Sequence, residues 1–162
     1  MKVDSDHAGC VRTRKSTTGL AAFYGKHVIK AASTTQTVIA LSSGESEFYA
    51  IVRGVATALG LKSLAKDYGL AVTVAIETDS VAGRGMALRL GAGKVRHIDT
   101  QWLWVQGVFH FKEATIKKIP GIENEGDLMT KYLDKNNINK ALKGMCFEAV
   151  AGCSGLVLRA AF

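Results

Sequence analysis

The stretch Leu41-Ser42-Ser43-Gly44-Glu45-Ser46-Glu47-Phe48-Tyr49-Ala50 joins a helix start, two acids and the leading edge of the most apolar helix in the chain. Ser42 followed by Glu45 has the spacing of a capping box, in which the hydroxyl accepts from a free helix amide and the carboxylate reaches back to the cap's own N–H. The spacing predicts a helix from about Ser43, with Phe48, Ile51, Val52, Val55 and Leu59 on one buried face. At roughly 100° per residue, Glu45 and Glu47 stand about 200° apart on that helix, on opposite flanks of the apolar face. They cannot both point at one site. At most one is a candidate for chemistry, and the other is expected to cap.

The 162 residues suit one domain with a real core, and 48% hydrophobic with 22% charged residues argues against disorder. No run of about 20 apolar residues and no charged-then-apolar leader stands in the sequence, so a soluble intracellular protein is expected, cytoplasmic or nuclear, without a membrane partner. Cys10, Cys146 and Cys153 lack paired spacing and are read as free thiols. An excess of 21 Lys+Arg over 14 Asp+Glu gives a net charge of +7, which suits a polyanionic partner, nucleic acid first.

Working outward from the helix, three antiparallel strands are expected before it. They cover about residues 1–8, 20–24 and 27–32, with a basic loop carrying Arg12, Arg14 and Lys15 and a turn at Gly25-Lys26. Gly60 is expected to stop the helix, and a second short helix to end at Gly69. The apolar run 72–76 reads as a strand buried on both faces, ending in Glu77-Thr78-Asp79. Ser80 can cap the next helix, and Asp99 or Thr100 one that carries Trp102 and Trp104, both expected in the core. A strand over 114–119 ends at Pro120, Asn124 opens a short helix with Asp127, and a last helix covers 137–147. The apolar tail 149–162 has no evident place. The order suggests an α/β fold with a mixed sheet flanked by helices, in which sites gather at the carboxyl ends of strands.

Asp4 with Asp6, Glu47 with Glu45, Asp79 and Asp127 each have a capping or turn explanation when taken singly. As a set they come from a first strand, a core helix, a strand end and a late helix. Such a set of hard oxygen donors suits Mg²⁺ or Mn²⁺, and two such ions can hold a scissile phosphate between attacking water and leaving oxygen.

Val3-Asp4-Ser5-Asp6-His7-Ala8-Gly9, Thr13 to Gly19, Val38 to Ala50, Thr78-Asp79-Ser80, Lys94-Val95-Arg96-His97-Ile98-Asp99 and Pro120 to Lys131 resemble, in order, the blocks of the ribonuclease H domain of copia-type retrotransposon polyproteins. The resemblance covers residues 1–135, leaving 136–162 as a helix and tail of unassigned role. It implies the ribonuclease H-like fold, with three antiparallel strands followed by two parallel ones. It also implies an endonuclease that cuts the RNA strand of an RNA–DNA hybrid with two Mg²⁺ ions, Mn²⁺ substituting, to leave a 5′-phosphate and a 3′-hydroxyl. A fused or associated reverse transcriptase is the implied partner. By the family pattern the ligands are Asp4, Glu47, Asp79 and Asp127, Glu47 being chosen because it precedes an aromatic-apolar-Ala step. Arg12, Arg14, Lys15, Ser16, Lys94, Arg96 and His97 become nucleic-acid contacts. His7 stands where that family has tryptophan, and the loop before Asp127 lacks the histidine of bacterial relatives. With only three residues ahead of Asp4, part of the family's central first strand is expected to be missing. The other reading is a hybrid-binding module of the same fold with weak or no catalysis.

Overall fold

The computed structural model describes residues 1–152 and 155–160, with side chains through residue 147. β1 (Lys2–Asp6), β2 (Thr17–Tyr24) and β3 (His27–Thr35) form an antiparallel meander, with Gly25 at φ 61° in the tight turn before His27. α1 (Ser43–Asp67) follows, then β4 (Val74–Thr78), α2 (Val81–Leu88), a 3-10 turn at Thr100–Trp102, α3 (Trp104–His110) and β5 (Ala114–Lys118). Two 3-10 segments, Gly121–Glu123 and Glu125–Met129, lead to α4 (Lys135–Gly144). The five strands form one sheet in the order β3-β2-β1-β4-β5, with β4 parallel to both β1 and β5. This mixed sheet flanked by helices is the ribonuclease H-like fold. β1 is central, as the resemblance requires. It bonds to β4 through the Lys2–Glu77 pair, the Met1 carbonyl accepting from the Glu77 amide and the terminal amine donating to the Ala75 carbonyl.

The core lies between the sheet and α1, α2 and α3. Val3, Leu20 and Ile76 from the strands meet Phe48, Ile51 and Val55 of α1 and Val105 of α3, all almost fully buried. Each such side chain contributes about 1.5–3 kcal/mol. By length and composition α1 could also cross a membrane, but its first half is the buried core helix of this sheet. Ser42 caps it as the spacing predicts, its hydroxyl accepting from the Glu45 amide at 3.2 Å.

The helix does not stop at Gly60. It runs unbroken through the expected second helix to Asp67, and Gly69, in the left-handed region at φ 75°, follows its end. An interior glycine costs only about 1 kcal/mol relative to alanine, less than the buried face returns. β4 begins at Val74, two residues later than expected, and its residues alternate between buried and half-buried instead of being buried on both faces. β2 and β3 extend further than expected because Thr17–Thr35 and Thr18–Thr34 are in register. Trp102 lies in the 3-10 turn ahead of the shorter α3, and α4 ends at Gly144. In the unplaced tail, β6 (Phe147–Gly152) pairs with β7 (Gly155–Ala160) in a separate antiparallel hairpin. The expectation of a free Cys153 lies outside the described residues, whereas Cys10 and Cys146 are free.

Candidate metal centre

β1 and β4 run parallel at the middle of the sheet, so their carboxyl ends open on the same edge beside the start of α1. Asp4 is the middle residue of β1 and is fully buried, and Asp79 directly follows β4. Asp127 comes from the 3-10 segment Glu125–Met129, which packs on β1 and β2. One carboxylate oxygen from each of these three aspartates lies within 4.8 Å of the others. Glu47 approaches from the second turn of α1. Burial, and then the charges of Asp4 and Asp79, push its pKa up to about 8, and its buried Oε2 has no hydrogen-bond partner. Burial and the Asp4 charge likewise raise Asp127 to about 6.

Neighbouring groups fix these acids. The Asn124 side-chain amide donates to the Val3 carbonyl at 2.9 Å and to Asp79 Oδ1 at 3.4 Å, while its own oxygen accepts from the Gly126 amide at 3.2 Å. It thus ties β1, the end of β4 and the 3-10 segment together. A Cβ on Gly126 would lie 3.0 Å from the Asp4 nitrogen, so only glycine lets the segment approach β1 this closely. The Thr130 hydroxyl donates to Asp4 Oδ2, and Lys131 Nζ lies 3.0 Å from Asp127 Oδ1 and 3.4 Å from Asp4 Oδ2. Sequence reasoning took Asn124 only as a cap and gave Thr130 and Lys131 no role. The i,i+4 spacing of Asp127 and Lys131 was a readable signal; the contacts to Asp4, more than 120 residues away, were not.

Asp6 and Glu45 are occupied elsewhere. Asp6 Oδ1 accepts from the Thr17 amide and closes the loop after β1. Glu45 Oε1 accepts from the Tyr49 hydroxyl at 2.8 Å, and Oε2 accepts from the Leu41 amide at 3.0 Å and meets His97 Nε2 at 2.8 Å. The capping box is modified: the carboxylate reaches the amide of Leu41, one residue before the cap. Burial pushes the Glu45 pKa up, but the bonds from His97, Tyr49 and Leu41 outweigh it and hold the pKa below the usual glutamate value.

Of the expected nucleic-acid contacts, Arg12 and Arg14 are exposed on the loop after β1, Lys15 is half-buried beside them, and Lys94 and Arg96 are exposed ahead of the 3-10 turn. His97 is anchored on Glu45. Ser16 is fully buried, its hydroxyl accepting from the Ala8 amide, so it shapes the loop and presents no free group. Trp102 packs edge-on against Tyr49 at 5.6 Å, but Trp104 is 41% exposed, against the expectation that both are core. The two tryptophans wall a cavity of about 550 Å³ with Gln36 and Arg53.

The donor set fits a hard divalent cation: oxygens of Asp4, Asp79 and Asp127 are gathered within 4.8 Å, Glu47, outside that group, offers a buried oxygen without a partner, and burial followed by like charge raises the pKa values of Glu47 and Asp127.

Over 146 residues, 88% of its length, the chain is 27% identical to a retrovirus-related Pol polyprotein from transposon TNT 1-94 of Nicotiana tabacum. It is 44% identical over 48 residues to an uncharacterized mitochondrial protein of Arabidopsis thaliana. It spans 11% and 20% of the lengths of these curated relatives. No family model and no solved structure matches the chain. The similarity supports a retrotransposon-related origin for this region.

Proposed function

We propose that the chain is a metal-dependent endoribonuclease, a ribonuclease H of copia type, that hydrolyses the RNA strand of RNA–DNA hybrids during reverse transcription. The observation that supports this most is the convergence of one oxygen each of Asp4, Asp79 and Asp127 to within 4.8 Å, with one buried Glu47 oxygen left without a partner and the charges of Asp4 and Asp79 acting on that carboxylate. Capping needs would scatter these acids; a shared cation gathers them. Asp4, Glu47, Asp79 and Asp127 would hold two Mg²⁺ ions, or Mn²⁺ in their place. Ions held there would supply an activated water and charge neutralisation at the leaving oxygen, the chemistry that would give 5′-phosphate and 3′-hydroxyl ends. Asn124 holds Asp79 towards the centre, and Thr130 orients Asp4.

Arg12, Arg14, Lys15, Lys94 and Arg96 are the cations placed for backbone phosphates, and the +7 net charge supplies long-range attraction. Contacts to 2′-hydroxyls would distinguish the RNA strand. Similarity to part of a Pol polyprotein supports a fused or associated reverse transcriptase as partner. The test incubates the protein and Mg²⁺ with labelled RNA–DNA hybrid, RNA duplex and DNA duplex. Cutting confined to the RNA of the hybrid and lost in Asp79→Asn is expected. Salt-sensitive binding without cutting would overturn the reading and make the chain a binding module.

A further inference from the structure

The four acids of the centre are not equally served by positive charge. Among the described residues, the ion pairs to these acids are made by one side chain, Lys131, and they lie on one side of the centre only. Its ammonium sits between Asp127 Oδ1 at 3.0 Å and Asp4 Oδ2 at 3.4 Å, with Asp4 Oδ1 also at 3.4 Å. The Thr130 hydroxyl takes a further place on Asp4 Oδ2. Across the centre, Glu47 keeps a buried oxygen with no partner. The protein therefore neutralises the Asp4–Asp127 edge from within by ion pairs and leaves one oxygen on the Glu47 side without a donor.

An ammonium is a compact point charge on a flexible four-carbon stem, and the Lys131 side chain is 42% exposed. It can swing into water without disturbing packed residues. Carboxylate oxygens bonded to an ammonium are not available to a divalent ion in the same place. Once the ammonium leaves, those oxygens form a doubly acidic edge of the kind hard cations take.

We infer that Lys131 is an internal counter-ion that competes with divalent metal for the Asp4–Asp127 edge. It is a positioning residue: in the metal-free protein it keeps two acids from separate segments together, and it must move away before that edge takes an ion. This inference rests on the reading of the centre as a metal site. It implies that the Glu47 side, which has no ion pair among the described residues, accepts metal more readily than the edge held by Lys131.

The test measures Mn²⁺ binding to the full chain by electron paramagnetic resonance of the free ion at fixed ionic strength. It compares the wild type with Lys131→Met, Lys131→Arg and Asp79→Asn. Lys131→Met, neutral and of similar length, should bind Mn²⁺ about fivefold more tightly, the scale set by a partly exposed ion pair, and Lys131→Arg should not. The metal-free Lys131→Met protein should also melt lower than the wild type, and saturating Mn²⁺ should close the gap. Affinity that is unchanged or weaker in a folded Lys131→Met protein overturns the inference and leaves the metal reading standing. A wild type that binds no Mn²⁺, or Asp79→Asn binding as well as the wild type, overturns the metal reading and this inference with it. If Lys131→Met does not fold, the ¹³C-dimethylated Lys131 resonance of the wild type, assigned by its loss in Lys131→Arg, serves instead. It should move towards that of a solvent-exposed lysine as Mg²⁺ saturates, and an unmoved resonance overturns the inference.

Discussion

Glu45 and Glu47 stand two residues apart at the start of one helix, and their surroundings are opposite in kind. Around Glu45, both carboxylate oxygens have donors: the Tyr49 hydroxyl, the Leu41 amide and His97. Around Glu47, the charged neighbours are mainly other carboxylates, and one buried oxygen has no donor at all. A buried charge is costly unless it is paired and hydrogen-bonded. The corner at Glu45 meets that condition with protein groups alone, whereas the centre around Glu47 meets it only in part, through Lys131. On the proposed reading, that difference separates an acid that maintains the fold from one that would hold a cation.

Substitutions on the two sides should therefore fail in different ways. Asp79→Asn, on the Glu47 side, should lower hybrid cleavage by at least about a hundredfold while leaving the melting temperature near that of the wild type, as steady-state rates and calorimetry will show. Glu45→Ala should do the reverse. By leaving the Tyr49 hydroxyl and the Leu41 amide without their partner, it should cost on the order of 3 kcal/mol in denaturant unfolding. Comparable loss of cleavage in a stably folded Glu45→Gln protein would erase the distinction.

The pH dependence of metal-free stability should also carry two opposite slopes. The folded pKa of Glu47 is raised from 4.5 to about 8, so its ionisation opposes folding, and stability in chelator should fall as pH rises between those values, on the order of 5 kcal/mol in all. Glu47→Gln should flatten that fall. The folded pKa of Glu45 is lowered, so its contribution is complete above the ordinary value of 4.5 and is lost as pH drops through its lower folded pKa. Glu45→Gln should remove that acid-side loss. The smallest effect belongs to the exposed loop. Neutralising Arg12, Arg14 and Lys15 together should reduce the salt slope of hybrid binding by at most about 2.7, near 0.9 for each phosphate that the loop ceases to neutralise, and an unchanged slope would remove the loop from the interface.

What the sequence made legible follows the range of the interactions. Ser42 and Glu45 are three residues apart, and the cap they announce is present, although the carboxylate settles on Leu41. The alternation of strands and helices was enough for the sheet and for the acids at its edge, because apolar spacing and strand-end position are local signals. Gly60 misled because a glycine signals a stop only where the chain turns left-handed, and that happens at Gly69. His97 on Glu45, Lys131 on Asp4 and Asn124 on Val3 join residues 52 to 127 positions apart. No periodicity carries such pairings. Trp104 escaped for a related reason: its exposure depends on where the 3-10 turn leaves the chain before α3, which the helical spacing did not show.

The most direct measurement is calorimetric titration of Mg²⁺ and Mn²⁺ into the wild-type chain, Glu47→Gln and Glu45→Gln under one set of conditions. Binding should be clear in the wild type, retained in Glu45→Gln and weakened by at least about tenfold in Glu47→Gln. Equal loss in the two variants, or no binding to the wild type, would contradict the division of these two glutamates into structural and metal-holding acids.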